Sequence, residues 1–420
     1  MLMLRLAVWV AVVLVWSTPI GAKERKQPRT NAVLHWNAII VTTLGGLNPF
    51  AQARAAAMTH LAMFEAVNAI TPRYEPYLGS IRAASTASPE AGAIAAAHGV
   101  LRALVPGAAG TLDAERLAAL SAIPDGQSKL DGIAVGEAAA AAMLAARAAD
   151  GSAAPEFHFP TSAEPGEWQL TPACPSAGGV LKHWGRVRPF GVPAVDKFAS
   201  PPPPELTSRR YARDLNEVKE VGALMSAART QHQTDLAHFY GAVLAVATWN
   251  PVVRQLTSMR RSSLVADARL FAHLNMAIND AAVAVMHTKY EYNLWRPETA
   301  IHRADDDGNP WTSGDPSFQP LIVAPCFPSY GSAHAAASYA ARRVAEAYFG
   351  DEFRAITLTH PAVPGIALEY ETFEDITDDI DTARIYGGIH FRFDQRAGGR
   401  QGKRIGARVY MDNLRKRDDD

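Results

Sequence analysis

The stretch Asn279–Pro297 reads NDAAVAVMHTKYEYNLWRP. It is the end of a helix that the spacing predicts over residues 263–294. Lys289 and Arg296 are seven residues apart. On a continuous helix that is close to two turns, which puts both cations on one face, about 10 Å apart along the axis at about 1.5 Å per residue. Pro297 ends the helix, because the residue before a proline is pushed out of the α region. Arg296 is therefore expected at a helix terminus. Two cations on a helix face are usually a solvated surface, so the pair gains meaning only from its partners further along the chain.

The first partner is Phe327–His334, FPSYGSAH. A loop with proline and glycine runs into an alanine-rich helix, with Ser332 as its N-cap or first-turn residue. The backbone N–H groups of Ala333 and His334 then lie at the positive end of the helix, where anions bind. His334 adds a group suited to general acid–base work near neutral pH. The second partner is Arg384–Asp394, RIYGGIHFRFD. Gly387-Gly388 permits close packing or the approach of a ligand. Asp394 follows His390 by four, one turn on if the segment is helical, and can hold one imidazole nitrogen while leaving the other free. Each segment has an ordinary reading as a capped helix or a surface pair. Together they offer three long cations, two histidines and a serine, a donor set suited to an oxyanion such as phosphate or vanadate.

Outward from these segments the chain reads as mostly helical. Alanine is abundant, and runs such as Ala138–Ala149 show no strand-like alternation. Helices are predicted from Pro49 to Asn68, then at about 90–104, 111–122, 129–149, 209–226, 231–248, from Ser332 to Phe349, and at about 382–395 and 398–414. Residues 151–208 are rich in proline, including Pro201–Pro204, and read as an irregular wrap held down by Trp168, Trp184 and Phe190. No internal repeat is visible. Residues 1–22 read as a signal peptide, with Leu6–Trp16 as its apolar core. That leaves an N-terminal helical half with the wrap, residues 23–208, and a C-terminal half, residues 209–415, carrying the chemistry. The two are expected as one compact domain or two packed bundles.

The chain has 420 residues and a formal net charge of −1, which gives no nucleic-acid footprint. No stretch after the signal reaches the about 18–20 apolar residues of a membrane span, so no stable insertion is expected after its removal. Export points to a secreted or periplasmic protein. The two cysteines, Cys174 and Cys326, are far apart in sequence. An exported protein could bridge them, a pairing that the sequence leaves open; Cys326, beside the candidate site, reads most simply as a small buried apolar residue.

The spacings K-x6-RP, PS-x2-S-x-H and R-x5-H-x3-D, in this order, resemble the vanadium-dependent haloperoxidase and type-2 phosphatidic acid phosphatase superfamily. FPSYGSAHAAAS, RIYGGIHFRFDQRAGGRQG, NDAAVAVMHTKYEYNLWRPETAI and the upstream RAAAMTHLAMFEAVNAI look like its chloroperoxidase branch and secreted bacterial relatives. The resemblance implies an all-α helical bundle. It implies that His390 binds vanadium directly, or attacks phosphorus in a phosphatase. Lys289, Arg296 and Arg384 would neutralise the oxyanion, with Ser332 and the amide of Ala333 as further donors. His334 would be the acid–base histidine, and Asp394 would orient His390. The sequence departs from the pattern twice. Ala333 replaces a usual glycine, and Met286 stands where a halide-pocket tryptophan is expected, with Phe327 as the retained aromatic. The implied activity is oxidation of a halide, bromide or iodide before chloride, by hydrogen peroxide with vanadate as cofactor and a small organic molecule as acceptor. A phosphatase acting through a phosphohistidine is the alternative, and a non-catalytic oxyanion binder a minor one.

Overall fold

The computed structural model describes residues 30–79 and 81–417. The segment read as a signal peptide, residues 1–22, and most of the basic stretch after it lie outside these residues. The chain forms α1 (Ala32–Leu44), α2 (Pro49–Ile70), α3 (Pro89–Leu104), α4 (Ala109–Ser121) and α5 (Gln127–Arg147). After a long irregular segment come α6 (Arg209–Val221), α7 (Gln231–Ala242), α8 (Ala245–Ser258), α9 (Leu264–Tyr292), α10 (Pro297–His302) and α11 (Ala333–Phe349). An antiparallel hairpin, β1 (Glu352–Thr359) and β2 (Ala367–Thr372), precedes α12 (Phe373–Tyr386) and α13 (Arg392–Asp412). The fold is mostly helical, as expected, with this one hairpin added.

The axis of the fold is α9, which is buried on every side from Leu270 to Met286. A helix apolar all round belongs in the middle of a bundle. It packs against α2, α11 and α13, and a single apolar cluster runs from Val33 to Leu414 through helices of both halves. Each large apolar side chain fully buried there contributes about 1.5–3 kcal/mol. The contact between α11 and α13 is unusually close. Gly398, Gly402 and Gly406 repeat every four residues along α13, and a Cβ on any of them would collide with the backbone oxygens of Ser332, Ala336 and Ala340 respectively. Two backbones in direct contact fix the spacing between the serine–histidine segment and the start of α13.

Several boundaries differ from the sequence reading. The helix expected over 231–248 is two helices bent by 101° at Val243–Leu244. The carbonyl of Tyr240, in the last turn of α7, accepts from Arg384 Nη1 at 2.7 Å; a helix C-terminus leaves such carbonyls without an intrahelical donor. The helix expected over 382–395 ends at Tyr386, and α13 begins only at Arg392. Gly388 has φ +76°, a conformation that ends a helix, and a Cβ there would strike Gly222 O and Pro320. The paired glycines therefore serve close packing. The Lys289–Arg296 helix also stops early: Asn293 adopts φ 46°, and Arg296 is the N-cap of α10 with Pro297 at N1.

Residues 151–208 form the irregular wrap expected, broken only by 3₁₀ turns at Lys182–Arg186 and Asp196–Phe198. Trp168, Trp184 and Phe190 anchor it as buried side chains. Its backbone grips the segment between the two cations: Trp168 N donates to Asn293 O at 2.7 Å, and Trp295 N to Gly166 O at 2.9 Å. Val180 N donates to Cys326 O at 2.9 Å, and a disulfide joins Cys174 to Cys326 across a Cα–Cα distance of 5.3 Å. The pairing, left open by the sequence, is thus present in the fold. The pairing partner lies 152 residues away, and only the packing of the wrap brings it within reach.

Candidate active site

His390 occupies the turn before α13, and Asp394 is the third residue of that helix. Their pairing therefore does not come from helical register. The Asp394 carboxylate caps the helix start, where its Oδ2 accepts from Phe391 N at 3.2 Å, from Ser329 Oγ at 2.6 Å and from His390 Nδ1 at 2.8 Å. With Nδ1–H committed to Asp394, Nε2 carries the lone pair. It lies 3.2 Å from Arg296 Nη1. The fold ties Asp394 to the other histidine segment as well, because Ser332 N donates to Asp394 O at 3.0 Å.

Lys289 and Arg296 converge on the loop Phe327–Ser329 through the turn at Asn293, not along one helix face. Lys289 Nζ donates to Pro328 O at 3.1 Å and Ser329 O at 2.8 Å. Arg296 Nε donates to Phe327 O at 2.9 Å, and Nη1 to Ile389 O at 3.0 Å. The Phe327 ring lies beneath both cations, 5.3 Å from Lys289 Nζ and 5.1 Å from the Arg296 guanidinium carbon, close enough for cation–π attraction. Ser332 is the N-cap of α11, and its Oγ accepts from Ala335 N at 3.3 Å. That role uses a lone pair and leaves its O–H free to donate. Ala333 and His334 are the first two residues of the helix, whose N–H groups have no intrahelical acceptor.

Lys289, Arg296 and Ser332 are fully buried, and Arg384 nearly so. Burial with so few carboxylates has a marked electrostatic effect. Desolvation, reinforced by Arg296, holds the Lys289 ammonium well below its ordinary value. Arg296 is brought down to about 10 by burial, and Arg384 to about 9 by burial and by Arg296. Burial and the surrounding cations also push both His334 and His390 well below 6.5, so both are neutral at physiological pH. Asp394 rises to about 6, because burial outweighs its donors. Four buried polar atoms of this cluster have no hydrogen-bond partner among the described residues: Arg296 Nη2, Arg384 Nε, His334 Nε2 and Asp394 Oδ1. Among the described residues no group of three or more His, Cys, Asp or Glu is arranged to hold a metal cation. The surplus here is of cationic donors, which suits an anion.

Above the cluster lies a cavity of about 620 Å³ whose lining includes His334, Arg384, His390, Ala333 and Phe327. Gly241, Ala242, Val323 and His238 also line it and are exposed, so it opens to solvent. Met286 is not among its lining residues. It is fully buried in a cluster with Phe50, Trp184, Val187 and Ala282, against which Phe327 packs, so it lies directly behind the wall that Phe50, Ala282 and Phe327 present to the cavity. The aromatic wall comes instead from Phe50, whose ring is 6.4 Å from Phe327 and 5.9 Å from Trp184. Sequence reading missed Phe50, Ser329 and the Tyr240 carbonyl. Ser329 lies inside the quoted FPSYGSAH segment and carried a signal; Phe50 and Tyr240 are distant in sequence and carried none.

Residues 269–418, which contain every motif residue above, match the model of the VCPO second helical-bundle domain. No curated protein matches the chain. Among solved structures, one described as the first bacterial vanadium-dependent iodoperoxidase aligns with TM-score 0.79 and 23% identity, over 93% of this chain and 98% of that one. A holo-type bacterial vanadium-dependent chloroperoxidase aligns with TM-score 0.72 and 16% identity, over 92% and 98%. Its apo-type counterpart gives 0.70 and 17%, over 88% and 95%. Residues 269–418 thus carry the likeness to the VCPO second helical-bundle domain, and the chain as a whole shares the fold of these bacterial vanadium haloperoxidases.

Proposed function

We propose that the chain is a vanadate-dependent haloperoxidase that oxidises bromide and iodide with hydrogen peroxide, and chloride poorly. The observation that carries this reading is the set of buried donors without a protein acceptor, on Arg296 and Arg384, beside a histidine whose Nδ1 is locked on Asp394. These residues fit vanadate. His390 Nε2 would hold it, while Lys289, Arg296 and Arg384 balance its charge and the Ser332 O–H and Ala333 N–H donate to its oxygens. Bound vanadate supplies a Lewis-acid centre that activates hydrogen peroxide without a change of metal oxidation state.

The depressed basicity of His390 keeps its lone pair available at neutral pH. His334, also neutral and with Nε2 unpaired, is placed in this reading to take up a proton from the entering peroxide and return it to the departing oxygen. The halide leaves as hypohalous acid or its equivalent. Chloride is the hardest of the three halides to oxidise and gains most from a dry aromatic pocket. Here the cavity opens to solvent, and the flexible Met286, not an aromatic ring, backs the Phe50–Phe327 wall, which supports bromide and iodide. The Cys174–Cys326 disulfide supports an oxidising compartment, in keeping with a secreted or periplasmic protein.

The test is purified protein with orthovanadate, peroxide and bromide, read as bromination of a phenolic dye. A parallel tube with an aryl phosphate and no vanadate reads phosphatase activity. Vanadate-dependent bromination is expected. Equal bromination with and without vanadate after chelation and dialysis would refute the proposal, and phosphate release alone would favour the phosphatase.

A further inference from the structure

Tyr240 supports the site with its backbone and is itself held by its side chain. Its carbonyl, freed at the C-terminal end of α7, accepts from Arg384 Nη1 at 2.7 Å. The His334 ring hydrogen-bonds the same oxygen. Nε2 of that ring has no partner among the described residues, so Nδ1 is the donor. A carbonyl only accepts, which puts the proton of neutral His334 on Nδ1 and leaves the Nε2 lone pair free to take one up. One oxygen thus orients residues of two separate segments, on α11 and on α12.

A chain of hydroxyls from the hairpin fixes that oxygen. The phenol oxygens of Tyr240 and Tyr370 are 2.7 Å apart and buried, and the Tyr370 O–H donates to Asp379 Oδ2 at 2.8 Å. Since Tyr370 commits its proton to the carboxylate, Tyr240 O–H is the donor between the two rings. Burial pushes both phenols up, so both keep their protons. Asp379 stands five residues before Arg384 on the same helix, α12. The bonds therefore close a circuit, from Asp379 through β2 and the last turn of α7 back to Arg384. Buried hydrogen bonds linked in this way strengthen one another.

We infer that Tyr370 and Asp379 are positioning residues of the oxyanion site: they hold the last turn of α7 so that the Tyr240 carbonyl orients Arg384 toward the anion and sets the tautomer of His334. This role rests on the oxyanion site proposed above. Neither residue lines the cavity, so each acts only through Tyr240. The hairpin thereby gains a part in the chemistry without supplying a group that touches the anion.

The test is calorimetry of the purified protein with orthovanadate at neutral pH. Tyr370→Phe keeps the ring and removes only the hydroxyl. It should weaken binding about tenfold, the low end of what losing an orienting partner costs a ligand site. Tyr339→Phe is the matched control. Its hydroxyl also donates to a carboxylate of α12, Asp381 Oδ2 at 3.1 Å, but makes no hydrogen bond to Tyr240 among the described residues, so its affinity should equal that of wild type. Asp379→Ala should weaken binding as Tyr370→Phe does, and Asp379→Asn, which retains an oxygen acceptor, should restore it. Charge alone forecasts the opposite for Asp379→Ala, because removing a carboxylate near buried cations favours an anion. Should Tyr370→Phe fail to fold, the two Asp379 variants, at the half-buried end of the chain, decide. Wild-type affinity in Tyr370→Phe, tighter binding in Asp379→Ala, an Asp379→Asn no better than Asp379→Ala, or an equal loss in Tyr339→Phe overturns the positioning role alone. Wild-type protein that binds no orthovanadate overturns the oxyanion reading and this role with it.

Discussion

Replacing Arg384 by glutamine should stabilise the ligand-free protein and remove its response to oxyanions. The Arg384 side chain is 4% exposed, donates through Nη1 to Tyr240 O and leaves Nε without a partner. Burial, and the neighbouring charge of Arg296, bring it from the ordinary guanidinium range down to about 9, a shift of between three and four decades. At about 1.4 kcal/mol per tenfold change in proton affinity, holding this charge in the fold costs roughly 5 kcal/mol. A base with a depressed folded value loses stability as pH falls from its unfolded value to its folded one, so the whole cost is present at neutrality. Against it stands the charged hydrogen bond to Tyr240, worth about 1.5–3 kcal/mol. The net gain for Arg384→Gln is therefore roughly 2–3 kcal/mol. For 420 residues, with an unfolding entropy near 2.1 cal/mol/K per residue, that raises Tm by about 2–4 °C. Wild-type protein at about a hundredfold excess of phosphate or vanadate over Kd should gain about 2.7 kcal/mol, a rise of about 3 °C on the same scale. Thermal melts at neutral pH with and without the anion measure both effects. A variant that melts several degrees below wild type without anion, or that keeps the anion-induced rise, refutes the view of Arg384 as an uncompensated charge awaiting an oxyanion.

Three further outcomes are expected. His390→Ala should abolish vanadate binding in calorimetry, whereas His334→Ala should leave the anion bound and slow turnover; unchanged binding in His390→Ala contradicts the assignment of the ligand. Because Asp394 sits at about 6 with its folded value raised, its carboxylate persists only above that pH. Phosphate affinity should then fall as pH drops through about 6, and comparison with Asp394→Asn, which has no such group to titrate, separates this limb from the titration of phosphate itself. Replacing Cys174 and Cys326 by serine reopens a loop of 152 residues and should cost about 2–5 kcal/mol in urea unfolding, with no change in midpoint as the contrary result.

The sequence carried the helical class and the three segments because their signals are local: alanine runs, a serine before a helix, and a proline after a cation. It misjudged how those segments become a site. Lys289 and Arg296 were read on one helix, yet the chain leaves the helix at Asn293 and returns Arg296 at the next helix start. His390 and Asp394 were read as a helical i, i+4 pair, yet they meet because a carboxylate at a helix start collects the donors before it. In both cases the residues are right for the contact and the geometry differs, because tight turns depend on tertiary packing. Phe50 and Tyr240 were illegible for another reason: each reaches the site from a helix whose relation to it is set only by the bundle. The hairpin was not read from the sequence, because two short strands with Ile356, Leu358, Leu368 and Tyr370 on one face give a weak signal inside a helical chain.

The glycine ladder on α13 gives the site an asymmetric mechanical stop. Where Gly398, Gly402 and Gly406 meet the α11 backbone, the helices have no compressible side-chain layer between them. Thermal motion or added pressure cannot drive them nearer; excursions run outward only. The two segments on which the histidines stand are thus set at their distance of closest approach, and every fluctuation of the pair loosens the cluster and none crowds it. A methyl group at any rung would move that stop, turning a site at minimum spacing into one held permanently ajar.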